Sequence, residues 1–533
     1  MNFNTINRYW LAVTAVLLVS SCSVLEVDPE DQITRENMYN VESDIYAVKT
    51  GLYNTMQGLV EQNFVLGELR GDLVTHARGA RKNSDMFEFM KHDISPDNRY
   101  LDWSGFYALI NQCNDALVSF PLLKEKSPDL LNKVYNHIMA EVLWLRAWAY
   151  MTLVRNWGDV PFITDPVYSA VDIKAYPVTP EDEILDQLEK DLSWAVANLN
   201  VNWSWGQGTS IDAMWNHETV NMCAGVNLLS EVLIYRNKYS DAWSTSALLK
   251  IMEPTYVDGT DGHEENWNNS FNLTGLNFDS GKEWFNVQFR YANERYRSSW
   301  FEQGLVLAFD TEDGTDGGGM YQERHSLGTI TSNRQEAGEL YVVKPSIPAI
   351  LLWVNARDVY RGAGYSYYVD GKDSVIWKYI GLTPQGERRG LDRKTGCGNI
   401  QFYRTVDLYL RGSETANRLG LSQKAIDILN QSRARVGVVP VPFKSNATIQ
   451  EIEDAIMDER ASEMAFEGIR WYDLVRIAKR RNDPAYLIDK VVAAAPAADR
   501  EALRARLELQ SENWWKLPYS NKAVMVNPNL KNE

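Results

Sequence analysis

At 533 residues, with 45% hydrophobic and 23% charged residues, the chain falls in the ordinary globular range and is long enough for one extended core or several. A net charge of −17 argues against a nucleic-acid partner, which needs a basic stripe, and reads as a solubilising surface. Eighteen Trp and 27 Tyr are expected mostly in helix packing, with some left to line a ligand surface, where rings stack on the apolar faces of sugars.

Arg8 precedes an apolar run, 9–19, which is too short to span a bilayer and suits a signal peptide over 1–21. The run ends in Val19-Ser20-Ser21-Cys22, and small residues before a Cys resemble the lipobox of bacterial lipoproteins, whose Cys is acylated. Lipidation at Cys22 is therefore expected, followed by a solvated linker with Glu26, Asp28, Glu30 and Asp31. The remaining Cys113, Cys223 and Cys397 are widely spaced, without a C-x-x-C pair, and read as core residues rather than a disulfide framework.

Apolar spacing at Ile45, Val48, Leu52 and Met56 predicts a helix over 43–56. A loop-rich stretch, 67–102, carries Arg70, His76, Arg78, Arg81, Lys82, His92 and Arg99. Helices are predicted over 103–118 and, long and strongly apolar, over 130–156, where Gly158, Asp159 and Pro161 stop the second. Thr179 as N-cap and Pro180 in the first turn open a helix with Ile184, Leu185, Leu188, Leu192 and Val196 on its apolar face. Helices over 217–236 and 240–252 follow, with a three-residue connection, Asn237 to Tyr239. From 253 to 398 Gly, Asn, Asp and aromatics dominate and short strands are expected near 365–379. Helices resume over 403–419, 422–436 and 448–480, and an Ala-rich segment, 491–510, forms another around Pro496. The expected architecture is mostly α: a tetratricopeptide-like helical scaffold with a large, loop-rich, partly β excursion. Its parts are 1–21, 22–252, 253–398 and 399–533.

Enzyme motifs fail on inspection. The run from Gly275 to Lys282 has one residue too many for a phosphate loop, His263-Glu264 lacks the second His of a zinc protease, and no G-x-S-x-G elbow occurs. Glu459, Glu463 and Glu467, four apart, could suggest the paired carboxylates of a glycosidase. With Arg460, Arg470, Asp473 and Arg476 in the same neighbourhood they read better as a charge-paired structural network. Asp-Gly-Thr-Asp-Gly at 258–262 and again at 313–317 could hold calcium, although such acidic turns are common without a metal.

Two segments carry a resemblance. Residues 140–162, ending in Trp157-Gly158-Asp159-Val160-Pro161-Phe162, and residues 458–476, with Glu459-Arg460, Glu463 and Glu467-Gly468-Ile469-Arg470-Trp471-Tyr472-Asp473-Leu474-Val475-Arg476, resemble the SusD/RagB family. Leu66-Gly67-Glu68-Leu69-Arg70-Gly71-Asp72, the helix with Asn430, Arg433 and Arg435, and Trp515-Lys516-Leu517-Pro518 as a closing strand follow in family order. Arg411-Gly412 and the tail Lys531-Asn532-Glu533 depart from the family pattern. The resemblance implies a non-catalytic lipoprotein at the cell surface that binds oligosaccharides and delivers them to a SusC-like TonB-dependent outer-membrane transporter, with no cofactor. A peptide-binding RagB-like receptor, a glycan-degrading enzyme and a structural surface protein are the alternatives. The family's placement of ligand loops points to Arg70, His76, Arg81, Phe87 and Tyr100, and to Trp267, Trp284, Tyr291, Tyr296, Trp300 and Tyr321; Trp103 is assigned to packing.

Overall fold

The computed structural model describes residues 38–77, 85–199, 219–246, 303–307, 343–358, 361–363, 366–370, 373–376, 400–435 and 438–531. Helix α1, Glu42–Gln57, buries Ile45, Val48, Leu52 and Met56 as the spacing predicts. A second short helix, α2 (Val60–Glu68), leads to strand β1 (Val74–His76) and helix α3 (Asp85–Lys91), both inside the stretch expected to be loop. Helix α4, Ser104–Lys126, continues well past 118, with Pro121 on an exposed position.

Helix α5, Asn132–Trp157, is the centre of the scaffold. From His137 to Trp157 nearly every side chain is buried, which is the state of a helix that is apolar all round. Each fully buried Leu or Val there contributes roughly 1.5–3 kcal/mol. Its arginines keep their stems packed and their heads paired: Arg146 donates to Asp191 at 2.7 Å, and Arg155 pairs with Glu231.

Helix α6, Glu181–Asn198, starts one residue later than expected. Thr179 does not cap it, because Thr179 pairs with Val160 in a β-bridge, and the Asp159 carboxylate accepts the Glu181 N–H at 2.9 Å instead. Helix α7 (Met222–Tyr235), capped by Asn221, and helix α8 (Tyr239–Ser246) follow through a short connection. Cys113 and Cys223 are buried, as core residues should be.

Strands β2 (Gln303–Leu307), β3 (Val343–Pro345), β4 (Tyr367–Asp370), β5 (Asp373–Ile376) and β6 (Ile400–Arg404) form antiparallel pairs β1–β3, β2–β6 and β4–β5. Helix α9, Ile347–Ala356, lies within the region expected to be irregular; Ser346 caps it by accepting the Ala349 N–H at 3.1 Å. Helices α10 (Thr405–Arg418), α11 (Ser422–Arg435), α12 (Ile449–Glu463), α13 (Arg470–Arg481), α14 (Pro484–Ala494), α15 (Arg500–Gln510) and α16 (Asn521–Val526) complete the described chain.

Neighbours in sequence are neighbours in space: α4 packs on α5, α5 on α6, α6 on α7, α7 on α8 and α10 on α11. Helix α8, which precedes the excursion, also packs on α10, which follows it, so the stack of helices continues across the gap in sequence. The result is the expected mostly α scaffold with short strands confined to the excursion and its attachments.

The expected single helix over 448–480 is two. The chain turns between α12 and α13, with Phe466 at φ 68° and Gly468 at φ 76°, a region that favours glycine. The motif Leu66–Asp72 explains that turn, because it docks on it. The Glu68 carboxylate accepts the Phe466 and Gly468 N–H groups at 2.9 and 3.0 Å. A Cβ on Gly67 would stand 1.7 Å from the Gly468 carbonyl oxygen, so backbone meets backbone. Asp72 receives both Nε and Nη2 of Arg470, at 2.7 and 2.9 Å. Two motifs 400 residues apart are therefore halves of one buried clamp.

Candidate functional site

The Glu/Arg block can be judged by where its carboxylates point. Arg361 is fully buried and donates from Nε to Asp358 at 2.6 Å and from Nη1 to Glu459 and Glu463 at 2.6 and 2.7 Å. Arg404 donates to Glu463 at 2.8 Å and Glu467 at 2.7 Å, Arg433 to Glu459 at 2.8 Å, and Arg460 to Asp407 and Asp473 at 2.5 and 2.9 Å. Every one of these carboxylates is bound to a guanidinium. Burial alone would raise the Asp407 carboxyl, yet Arg411 and Arg460 hold it down at about 2. The block is scaffold.

The structure redistributes the ligand residues expected from sequence. Arg70 is not a surface group. It is 1% exposed, stacks its guanidinium 4.6 Å over the Trp471 ring, and donates to the Leu66 and Trp515 carbonyls and to Asn156. Tyr100 is likewise a packing residue. It is 4% exposed, its ring meets Phe89 edge-on, and its hydroxyl donates to Glu61 at 2.5 Å. Burial, then the Glu61 carboxylate, pushes that hydroxyl further from ionising. Trp103 packs on Trp157, Tyr107 and Tyr519, as assigned. Arg81, Trp267, Trp284, Tyr291, Tyr296, Trp300, Tyr321, Cys22 and both Asp-Gly-Thr-Asp-Gly turns lie outside the described residues. Among the described residues no cluster of His, Cys, Asp and Glu could hold a metal.

His76 remains, and it opens onto a cavity of about 190 Å³. One wall is β1 and α3, contributing Thr75, His76, Phe87, Met90 and Lys91; the His76 and Phe87 rings are 5.5 Å apart. The opposite wall is the α14–α15 pair; the Ala-rich segment expected as one helix over 491–510 is instead two, separated by a turn at Pro496. Helix α14 begins with Asp483 accepting the Ala485 N–H at 3.1 Å and buries Leu487, Ile488, Val491 and Val492; α15 buries Leu503 and Leu507. Arg500 donates to the Ala493 and Ala495 carbonyls at 3.1 and 3.0 Å and so closes the turn between the two helices. Along one edge the walls are fastened: Gln510 donates to the His92 carbonyl at 2.9 Å and Arg506 pairs with Asp93 at 3.1 Å. His92 is buried beside Arg70, and burial first, then that guanidinium, pushes its imidazole down to about 3. It serves as a neutral wedge against Trp471. Lys91, Asp93, Asp499 and Arg506 of this rim gave no sign in the sequence, since the two walls come from opposite ends of the chain.

A second, larger cavity, about 480 Å³, lies between α4, residues 161–176 and α16. Several of its polar side chains are engaged already. Asn111 exchanges two hydrogen bonds with the Val167 backbone at 2.9 and 2.6 Å, Asn114 donates to the Ile163 carbonyl at 2.9 Å, and Lys522 pairs with Asp102 at 2.7 Å.

The described scaffold is helical, pairs the Glu/Arg block internally and carries an amphipathic cavity at one edge. Two family models match, one described as "SusD family" over residues 355–533 and one as "Starch-binding associating with outer membrane" over 24–207, together more than half of the chain. The SusD-like protein P38 of Formosa agariphila is 25% identical over 516 residues, covering 90% of this chain and 92% of that protein. Among solved structures, a SusD superfamily protein of Bacteroides thetaiotaomicron superposes with a TM-score of 0.66 at 20% identity, covering 92% of this chain and 98% of that one. A laminarin-binding SusD-like protein superposes with a TM-score of 0.64 at 20% identity and the same coverage. The chain belongs to the SusD-like family.

Proposed function

We propose that this protein is a non-catalytic receptor that captures oligosaccharides at the outer membrane and hands them to a SusC-like TonB-dependent transporter. The observation that carries the reading is the cavity beside His76, apolar within and polar at its rim, on the same scaffold that a laminarin-binding protein uses. The commitment of Glu459, Glu463, Asp407 and Asp473 to guanidiniums supports binding without hydrolysis. No described helix is long and apolar enough to cross a membrane. In this reading attachment is by an acyl chain at Cys22 and transport is through a separate barrel. Tagged protein extracted gently from native outer membrane should bring down a large β-barrel protein; a preparation without one, under conditions that keep other such pairs together, sinks the delivery step.

The anchor has its own test. Cys22→Ala should move the protein from the membrane fraction to the soluble fraction, and metabolic labelling with a palmitate analogue should mark the parent only. A variant that still carries acyl chains would show that the small-residue run before Cys22 is not a lipobox.

A further inference from the structure

Resting on the glycan reading, we propose that the cavity between β1–α3 and α14–α15 holds one neutral pyranose ring at the end of a glycan. Three observations select that ligand. The first is size: at about 190 Å³ the cavity is smaller than the roughly 300–1,000 Å³ of a site for a drug-sized ligand, so it admits one ring and its hydroxyls and leaves a second ring outside. The second is the lining. Leu69, Val74, Phe87, Val491 and Leu503 give an apolar interior, and the half-buried His76 ring stands against Phe87 at its edge. The third is the charge of the rim. Among the described lining residues Lys91 and Arg506 are matched by Asp93 and Asp499, so cations and carboxylates balance. An anionic ligand would need an excess of cations. A set of hydroxyls needs donors and acceptors in alternation, and this rim supplies both. Arg506 is already paired with Asp93, whereas Lys91 and Asp499 form no ion pair among the described residues.

Room for a single ring has a consequence for the ligand. In this proposal the ring is a terminal residue and not an internal repeat, and the α14–α15 pair acts as the specificity wall.

The test uses the purified full-length protein on an array of neutral and acidic glycans that share termini but differ in length. Bound glycans should sort by a common neutral terminal sugar, with Kd nearly constant beyond the second residue. For the tightest array glycan, Ala498→Trp, an exposed turn position lining the cavity, should raise Kd by at least about tenfold, and Lys91→Ala by about fivefold, with melting temperatures unchanged. Should Ala498→Trp fail to fold, Lys91→Ala decides alone. Unchanged affinity in the folded variants overturns the pocket and leaves glycan capture standing. Sorting by an internal repeat or by an acidic group overturns the terminal, neutral ligand. An array on which the parent binds nothing overturns glycan capture itself.

Discussion

Asp72→Ala should cost about 3–5 kcal/mol of folding stability, because it strands a buried guanidinium. Arg470 gives both its forked donors to Asp72 and otherwise reaches only the Met457 carbonyl, at 3.3 Å. Removing the carboxylate leaves a positive charge out of contact with water and without its counter-charge. Urea unfolding followed by tryptophan fluorescence would measure the loss, and Asp72→Asn, which keeps the shape but not the charge, should fall almost as far. The effect carries a pH signature. Burial alone would raise the Asp72 carboxyl, but the Arg470 guanidinium outweighs it and the net direction is down from the ordinary 3.8. The ion pair's contribution is therefore complete above that value and is lost as pH falls through the lower, folded one. The gap between parent and variant should be widest near neutrality and close in acid. A gap that widens in acid would mean that the carboxylate is not what the guanidinium depends on.

Arg361→Ala is expected to be comparably severe, at about 3–5 kcal/mol, for the reverse reason. Here one cation serves three carboxylates, Asp358, Glu459 and Glu463, all buried. Without it, like charges face one another across α12 and the segment after α9. Arg361→Lys should recover little, since a single ammonium cannot span the positions that Nε and Nη1 of the planar fork reach together. Differential scanning calorimetry of both variants would decide. A lysine variant as stable as the parent would show that charge alone, and not the fork, holds the three carboxylates.

Much of the scaffold was legible because it follows from local pattern. The length and unbroken apolarity of 130–156 announce the central helix α5. The Glu/Arg block was legible too, since so many opposite charges at helical spacing have few alternatives to pairing. The candidate site was legible only in part. His76 opens on the cavity, but Arg70 and Tyr100 do not, because polarity in a sequence says nothing about a partner 86 positions away, such as Asn156 for Arg70. Helix α9 was hidden among Gly- and Asp-rich neighbours, and the break between α12 and α13 needed the knowledge that Glu68 would be there to receive two N–H groups. Trp515 to Pro518 were expected as a closing strand. They instead contribute single contacts to the end of α5: the Leu517 N–H donates to the Asn156 carbonyl at 2.7 Å, and the Pro518 carbonyl accepts the Trp157 indole at 3.1 Å.

The clamp also imposes an order on how the chain can mature. During synthesis Glu68, Arg70 and Asp72 emerge early, and the groups that satisfy them, at Phe466, Gly468, Arg470 and Trp515, emerge near the end. Until then the first helices carry charges that cannot be buried without a large penalty. Early collapse around them is disfavoured, and the nascent chain stays open and hydrated until nearly its whole length is available. Completion is then abrupt, since one docking event satisfies several buried groups at once. A polypeptide built this way is poorly suited to finishing its fold piecemeal, and well suited to being moved as an unfolded thread before it folds.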